Sequence, residues 1–449
     1  MSWNTRKLLH LLYRKITMKA TIKQIIADFH ATPMEDVTLR ELELPIHSGK
    51  TITLIGPRRC GKSYYFLHLM RQLIHSGVPQ QNIVYLNFED ERLDLEAKDL
   101  DSILKAYHEL YPSVKWKDCY FFFDEIQNID NWEKFVRRCN DTVTKNIFLT
   151  GSNANLLSQE IASALRGRTL SYEILPLSFR EFLSFKKVNW QKQDSATQAK
   201  VNKLFLQYLT SGGYPEVALL NDNLKNQALQ EYFDVMTYRD LVERYQLTNL
   251  PVIKYFLKRV AATAGSYLSL NKIYNELRSQ GYKLDKNYLY ELNEAAKAVY
   301  LSLPVSKFDF SELKRANSDK KTYFIDNGLL NAITFKFSKD YGKLLENLCY
   351  LELRRQNHSV YYYKNGKECD FVLYTENKKP LPLQVTYSLT DPDTYEREVG
   401  SLVYCCKKLE VKKGVILSMA ERPDAMVNGV KIKFMAAVPF FLGTEKLKM

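Results

Sequence analysis

Apolar positions along the chain fall into two rhythms. Short runs of β-branched and aromatic residues alternate with longer stretches in which apolar residues recur every three or four positions. Thr51-Ile52-Thr53-Leu54-Ile55 predicts a strand. Residues 64–75, with Phe66, Leu67, Leu69, Met70, Leu73 and Ile74 at helical spacing, predict the helix that follows. Residues 82–88 and 146–150 predict two more strands, and residues 22–29 a helix. The run Cys119-Tyr120-Phe121-Phe122-Phe123 does not alternate at all. That marks a strand covered on both faces, as in the middle of a parallel sheet.

Further along, residues 177–185, 203–209 and 227–245 carry amphipathic helical patterns, interrupted by Gly212-Gly213 and stiffened by Pro215. They predict a helical lid over the first domain, with Arg239 and Asp240 as an ion pair. Pro251 opens a unit of three short helices at 252–264, 270–280 and 286–299. Asp285 is placed to cap the third, and an extended segment through Lys307, Lys314 and Arg315 follows. This order suits a winged helix, whose third helix enters the major groove in DNA-binding versions. That helix offers Lys286, Asn287, Tyr290, Asn293 and Lys297, but Glu291 and Glu294 beside them would face phosphate.

The punctuation between the first strand and helix carries chemistry. Gly56-Pro57-Arg58-Arg59-Cys60-Gly61-Lys62-Ser63 fits G-x-x-x-x-G-K-[ST], the P-loop pattern, and stands between a strand and a helix as that pattern requires. Glycines let backbone N–H groups turn toward a phosphate, and the helix beginning near Lys62 adds its positive end. Lys62 is expected on the β- and γ-phosphates of ATP and the Ser63 hydroxyl on Mg²⁺. The phenylalanine strand ends in Asp124-Glu125, a Walker B pattern. Asp124 is expected to hold the metal and Glu125 to polarise the attacking water. Ser152 or Asn153, after the neighbouring strand, can touch the γ-phosphate. Arg166 and Arg168 can neutralise transferring phosphate, within one chain or from a neighbouring copy in a homo-oligomer.

Composition narrows the setting. The 449 residues are long enough for about three domains, and no apolar run approaches the roughly 18 residues of a membrane span. Seven cysteines without C-x-x-C spacing argue for a reducing, cytoplasmic location and against zinc. The net charge of +13 suits a polyanionic partner such as DNA. Residues 1–27 carry six Lys/Arg and no acid. Within residues 1–17, Leu8, Leu11, Leu12 and Ile16 form an apolar stripe without a cleavage site. That stripe suits a membrane-surface helix, or else a start called too early, with Met18 expected to begin the native chain.

Beyond the P-loop, Pro176-Leu177-Ser178-Phe179-Arg180-Glu181-Phe182, Gly212-Gly213-Tyr214-Pro215-Glu216, Tyr323-Phe324-Ile325-Asp326-Asn327-Gly328 and Gly342-Lys343-Leu344-Leu345-Glu346-Asn347 stand out. With them the chain resembles the prokaryotic AAA+-type ATPases that carry a C-terminal domain related to restriction endonucleases. The resemblance covers nearly everything after Met18 and identifies no substrate. It implies a nuclease-like α/β domain holding Glu346 on a helix and Glu368 and Asp370 on one face of a hairpin at 361–373. Gln384 and Thr386 follow on the next strand. Working nucleases of the resembled fold place an acid and a lysine at those two positions, and here both are missing. A remnant without cleavage is expected, its sheet completed by residues 415–418 and 435–442.

These readings divide the α/β chain into an extension (1–17), a P-loop ATPase domain with a parallel sheet (18–175), a helical lid (176–250), a winged-helix-like domain (251–318) and a restriction-endonuclease-like domain (319–449). The leading expectation is a Mg²⁺-dependent ATPase whose nucleotide state moves the downstream domains. The alternatives are a nucleotide-gated DNA- or protein-binding module with slow turnover, or a metal nuclease.

Overall fold

The structure, a computed structural model, describes residues 3–34, 36–154, 165–192, 194–334, 340–374 and 379–447, with side chains from residue 16 onward. It divides into two compact units, residues 1–174 and 175–449.

In the first unit, β1 (Thr51–Ile55), β2 (Ile83–Asn87), β3 (Tyr120–Asp124), β4 (Asn146–Gly151) and β5 (Thr169–Glu173) form a sheet in the order β2-β3-β4-β1-β5. Every neighbouring pair is parallel. The unbroken apolar run of β3 is explained by its place: Phe121, Phe122 and Phe123 are all buried, two on one face and one on the other. Phe122 stacks on Phe148 of β4 at 4.6 Å and meets Phe66 of the helix Lys62–His75 edge-on. Parallel strands end together, so Ile55, Asp124 and Gly151 bring their following loops to one edge of the sheet.

The helix Trp3–Ala31 buries Ile22 and Ile26 in the same core as Ile103, Ala106 and Tyr107 of the helix Asp101–Leu110. Lys19 and Lys23 both pair with Glu109 beside it. The side chains of Leu8, Leu11 and Leu12 lie outside the described residues. Among the described residues, no helix is long and apolar enough to cross a membrane.

The second unit begins with helices Phe179–Phe185, Ser195–Ser211, Pro215–Leu219 and Asp222–Val235, the last continuing as a wider π turn to Glu243. Ser195–Ser211 packs on both Asn327–Ile333 and Tyr341–Arg355 of the same unit, and Asp222–Val235 packs on Asn327–Ile333. Ser178 and Glu181 cap the first of them reciprocally. Asp240 pairs with Arg244 at 3.7 Å, correcting the expected Arg239 partner. Positions four apart share a helix face, whereas adjacent ones diverge.

Three helices follow, Leu250–Ala262, Leu270–Ser279 and Lys286–Ala298, with β6 (Ser266–Tyr267) between the first two. β6 joins β7 (Leu303–Ser306) and β8 (Lys320–Tyr323) in a small antiparallel sheet ordered β6-β8-β7. The last sheet joins β9 (Val360–Asn365), β10 (Lys367–Leu373), β11 (Leu381–Val385), β12 (Lys413–Ser418), β13 (Ala425–Val427) and β14 (Val430–Ala436) in the order β13-β14-β12-β11-β10-β9. The hairpin β9–β10 turns at Gly366, whose φ of 81° lies in the left-handed region. Residues 435–442 do not continue the sheet as expected. The strand stops at Ala436, and Ala437–Leu442 is a short helix. Pro439 falls in its first turn, where no backbone N–H is needed.

Candidate functional site

The edge where β1, β3 and β4 end gathers the P-loop and Walker B residues. Gly56 is required by crowding: a Cβ there would lie 2.0 Å from the Ile174 carbonyl oxygen. Gly61, with φ 96°, turns the chain into the helix Lys62–His75. Between them the Cys60 thiol is buried and its carbonyl accepts from Arg40 at 2.7 Å, which braces the loop from outside. Arg58 pairs with Glu89 at 2.7 Å beyond the end of β2, so the acidic stretch after that strand contributes one member to the loop's surroundings. Arg59 is exposed.

Lys62 is 4% exposed. Its ammonium donates to the carbonyls of Gly56 and Pro57 at 3.1 Å and lies 3.2 Å from Glu125 Oε1. Burial alone would lower its pKa, but Glu125, Cys60 and Asp124 outweigh burial and raise it. Asp124, fully buried, accepts from Ser63, Thr150 and, at 3.0 Å, Tyr85. Burial first and the charge of Glu125 second push its carboxyl upward against those hydrogen bonds. Glu125 resolves oppositely: burial would raise it, yet Lys62 and a hydrogen bond from Gln127 hold it down at about 2. One carboxylate is thus held by hydroxyl donors and the other by an ammonium.

The structure therefore brings Lys62, Ser63, Asp124 and Glu125 to one place. Ser152 is adjacent, accepting from Gln127 at 3.4 Å, while Asn153 follows it outside the strand. Arg166 and Arg168 are elsewhere. They precede β5, which runs parallel to β1, so they sit at the opposite edge of the sheet, about 15 Å away by strand rise. Arg168 pairs there with Asp141 at 2.6 Å, and Arg166 is exposed. The expectation that they serve this chain's own phosphate site is corrected by that polarity.

Two residues missed in the sequence complete the site. The Thr150 hydroxyl donates to Asp124 and accepts the Glu125 N–H at 2.8 Å, so one side chain positions both acids. Glu125 itself has φ 52°, a left-handed turn held by that bond. Tyr85 reaches Asp124 from β2. Tyr85 stands mid-strand, opposite Phe122, and Thr150 next to the end of β4, and neither position stands out in the sequence.

A second polar cluster lies in the other unit. Glu346, Glu368 and Asp370 do converge, but on Lys321 of β8, at 3.0, 2.9 and 3.3 Å. Tyr323 donates to Glu346 at 2.7 Å and Tyr267 to Glu368 at 2.9 Å. Burial and then Asp370 push Glu346 up to about 7 against Lys321 and Tyr323. Gln384 accepts the Asp370 N–H at 3.2 Å and donates to Glu398 at 2.6 Å. Thr386 donates to the Ser388 carbonyl at 3.2 Å.

A glycine turn between a buried strand and a helix, beside an Asp-Glu strand end in a parallel sheet, defines a P-loop nucleotide-binding domain of the AAA+ class. Residues 48–183 match the family described as AAA domain. Residues 202–340 and 341–437 match two domains of unknown function, DUF8612 and DUF4143. The uncharacterized protein MJ1544 of Methanocaldococcus jannaschii is 36% identical over 405 residues, 88% of each chain. An uncharacterized protein of Haemophilus influenzae is 31% identical over 344 residues, covering 76% of this chain and 84% of that one. The chain belongs to the family of these proteins, P-loop AAA+ proteins whose names assign no activity. Among solved structures, Cdc6p from Pyrobaculum aerophilum aligns over 64% of this chain and 88% of its own, at 12% identity and a TM-score of 0.26. The Aeropyrum pernix ORC1 protein in complex with DNA aligns over 70% and 91%, at 10% identity and a TM-score of 0.27. Those scores carry no further argument.

Proposed function

We propose that the first unit is a Mg²⁺-dependent ATPase. The observation that carries this reading is the meeting of Lys62 with Glu125 at 3.2 Å, beside a Ser63 hydroxyl bonded to Asp124. The oxygens of Ser63 and Asp124 fit a hard divalent cation, which would supply positive charge to bound phosphates. Lys62, now satisfied by two loop carbonyls and Glu125, has phosphate oxygens as its natural alternative partners. Glu125, held ionised and aimed by Thr150 and Gln127, is the base that orients water. Arg166 and Arg168 can contribute only to a neighbouring copy, so a role for them requires an oligomer.

The experiment is ATP turnover by the full chain, with and without duplex DNA. Lys62→Ala should lose nucleotide affinity by tenfold or more and turnover with it, in line with about 1.5–3 kcal/mol for a hydrogen bond to a charged group. Wild-type affinity in that variant would sink the reading. Stimulation by duplex DNA would assign a polyanionic partner to the charge excess. The third helix of the small domain gives base reading little support, because Lys297 is already paired with Glu294 at 2.6 Å and Glu291 is exposed.

Thr150→Val keeps the shape of the strand end and removes the bonds to Asp124 and to the Glu125 N–H. Leaving that buried donor unmet costs about 1–3 kcal/mol. Turnover should fall roughly tenfold with little change in nucleotide affinity, which steady-state kinetics beside a binding titration would read.

We further propose that nucleotide state is passed to the second unit as a rigid-body displacement. Buried hydrogen bonds tie its leading helices to its C-terminal half: Asn327 donates to the Leu209 and Leu344 carbonyls at 2.9 and 2.8 Å, and the Gly213 N–H donates to Asp326 at 2.6 Å. Leading helices tied in this way cannot move without what they are bonded to.

A further inference from the structure

The cluster around Lys321 is the second unit's most concentrated chemistry, and the ATPase reading does not use it. Three carboxylates arrive from two elements, Glu346 from the helix Tyr341–Arg355 and Glu368 and Asp370 from β10. Carboxylates in such numbers suit a hard divalent cation, yet among the described residues no group of acids is placed to hold one. What occupies their centre is an ammonium carried by a third element. Lys321 is 1% exposed, and its Nζ lies between 2.9 and 3.3 Å from an oxygen of each acid. Burial disfavours its charge, but Asp370, Glu346 and Glu368 together hold it well above its ordinary value, so it stays an ammonium.

The cage is also closed from the side that supplies the lysine. Tyr267 of β6 and Tyr323 of β8 donate to Glu368 and Glu346. β6 pairs directly with β8, at Tyr267↔Lys321, so the small sheet delivers the cation and both hydroxyls as one piece. The second oxygen of Asp370 is taken by the Val385 N–H at 3.0 Å. Lys364 adds positive charge from outside, 3.7 Å from Glu368. A divalent metal wants carboxylate oxygens at about 2.0–2.6 Å and brings two charges. Entering here, it would have to expel a buried ammonium that has nowhere else to satisfy its charge. The cost of leaving such a group unpaired is what makes the exclusion strong.

We propose that Lys321 is the resident cation of this cage: it occupies the place a divalent metal would take among Glu346, Glu368 and Asp370, and so bars such a metal from the C-terminal domain. Thr386 at the neighbouring strand end supplies no positive charge. A lysine from another strand closes the site instead. The small sheet acts as a plug, and the carboxylates become a metal site only when its ammonium is removed.

Mn²⁺ binding to the full chain without nucleotide, read by electron paramagnetic resonance of the free ion, tests this independently of ATP hydrolysis. Wild type and Asp370→Asn should bind Mn²⁺ alike, because the cage contributes nothing. Lys321→Ala should gain one site, at least tenfold tighter than any site of wild type, and Lys321→Ala/Asp370→Asn should lose it again. Lys321→Gln, closer in size, should show the same gain and serves if the alanine variant does not fold. A wild-type Mn²⁺ site abolished by Asp370→Asn would overturn the proposal. So would folded lysine variants that gain no site, since the cluster would then be an ion-pair network with no latent metal geometry.

Discussion

Glu125→Gln is expected to cut ATP turnover by about 10²–10⁴-fold, the span usually lost with a positioned general base. Nucleotide affinity should stay at the wild-type level or tighten. The reason lies in the competition around Lys62. Its ammonium shares Glu125 at 3.2 Å and two loop carbonyls at 3.1 Å, and binding phosphate must draw it from these partners. A neutral amide at position 125 weakens the strongest of them. Thr150 still holds the backbone N–H of residue 125, so the left-handed turn after β3 should survive. A nucleotide-gated binding module with negligible turnover gives a different outcome: the variant would bind as before and its already slow hydrolysis would hardly change. Single-turnover hydrolysis beside equilibrium nucleotide binding separates the two. Loss of binding would remove Glu125 from the catalytic role and make it a structural partner of Lys62.

The P-loop and the acid pair were legible because each is a local pattern with a local cause. Glycines at fixed spacing make the turn, and an unbroken aromatic run makes a strand buried on both faces. That the two patterns meet follows from parallel strands ending at one edge. Thr150 was not legible: a threonine at a strand end is ordinary, and its role arises from the pairing of β3 with β4, which fixes what lies beside Asp124. Lys321 was hidden for a similar reason. It lies 25 and 49 positions from Glu346 and Asp370, and only the folding of β8 against that region places its ammonium among them. Arg166 and Arg168 could have been placed better from sequence, since residues just before a parallel strand lie at the edge away from the phosphate site. The helix Ala437–Leu442 resembled a strand because six mostly apolar residues carry no periodicity, and Pro439 alone argued against it.

The other large effect is expected from Asn347→Ala, on stability. Asn347 is fully buried and closes a ring of hydrogen bonds. It accepts the Phe324 N–H at 2.8 Å and donates to the Phe324 carbonyl and to Asn327 Oδ1, both at 2.9 Å. Asn327, so oriented, spends its own amide on the Leu209 and Leu344 carbonyls. Nearby, a Cβ on Gly328 would meet the Ser211 carbonyl oxygen at 2.0 Å, which leaves water no room to replace a lost partner. Alanine at 347 strands one donor and two acceptors, at about 1–3 kcal/mol for each buried group, so roughly 4 kcal/mol in all. Denaturant unfolding of the second unit should shift by that amount. Asn347→Asp, which keeps the acceptor for Phe324 and loses both donors, should fall nearer the alanine variant than wild type. A loss below about 1 kcal/mol for alanine would mean that the ring relaxes or hydrates, outside the usual range for buried polar groups. The helices 179–211 could then move without the C-terminal half, and the rigid-body transmission proposed above would fail with it. A full loss, with nucleotide affinity of the first unit unchanged, would show that the motifs Gly212-Gly213, Asp326-Asn327-Gly328 and Asn347 belong to this junction and not to the phosphate site.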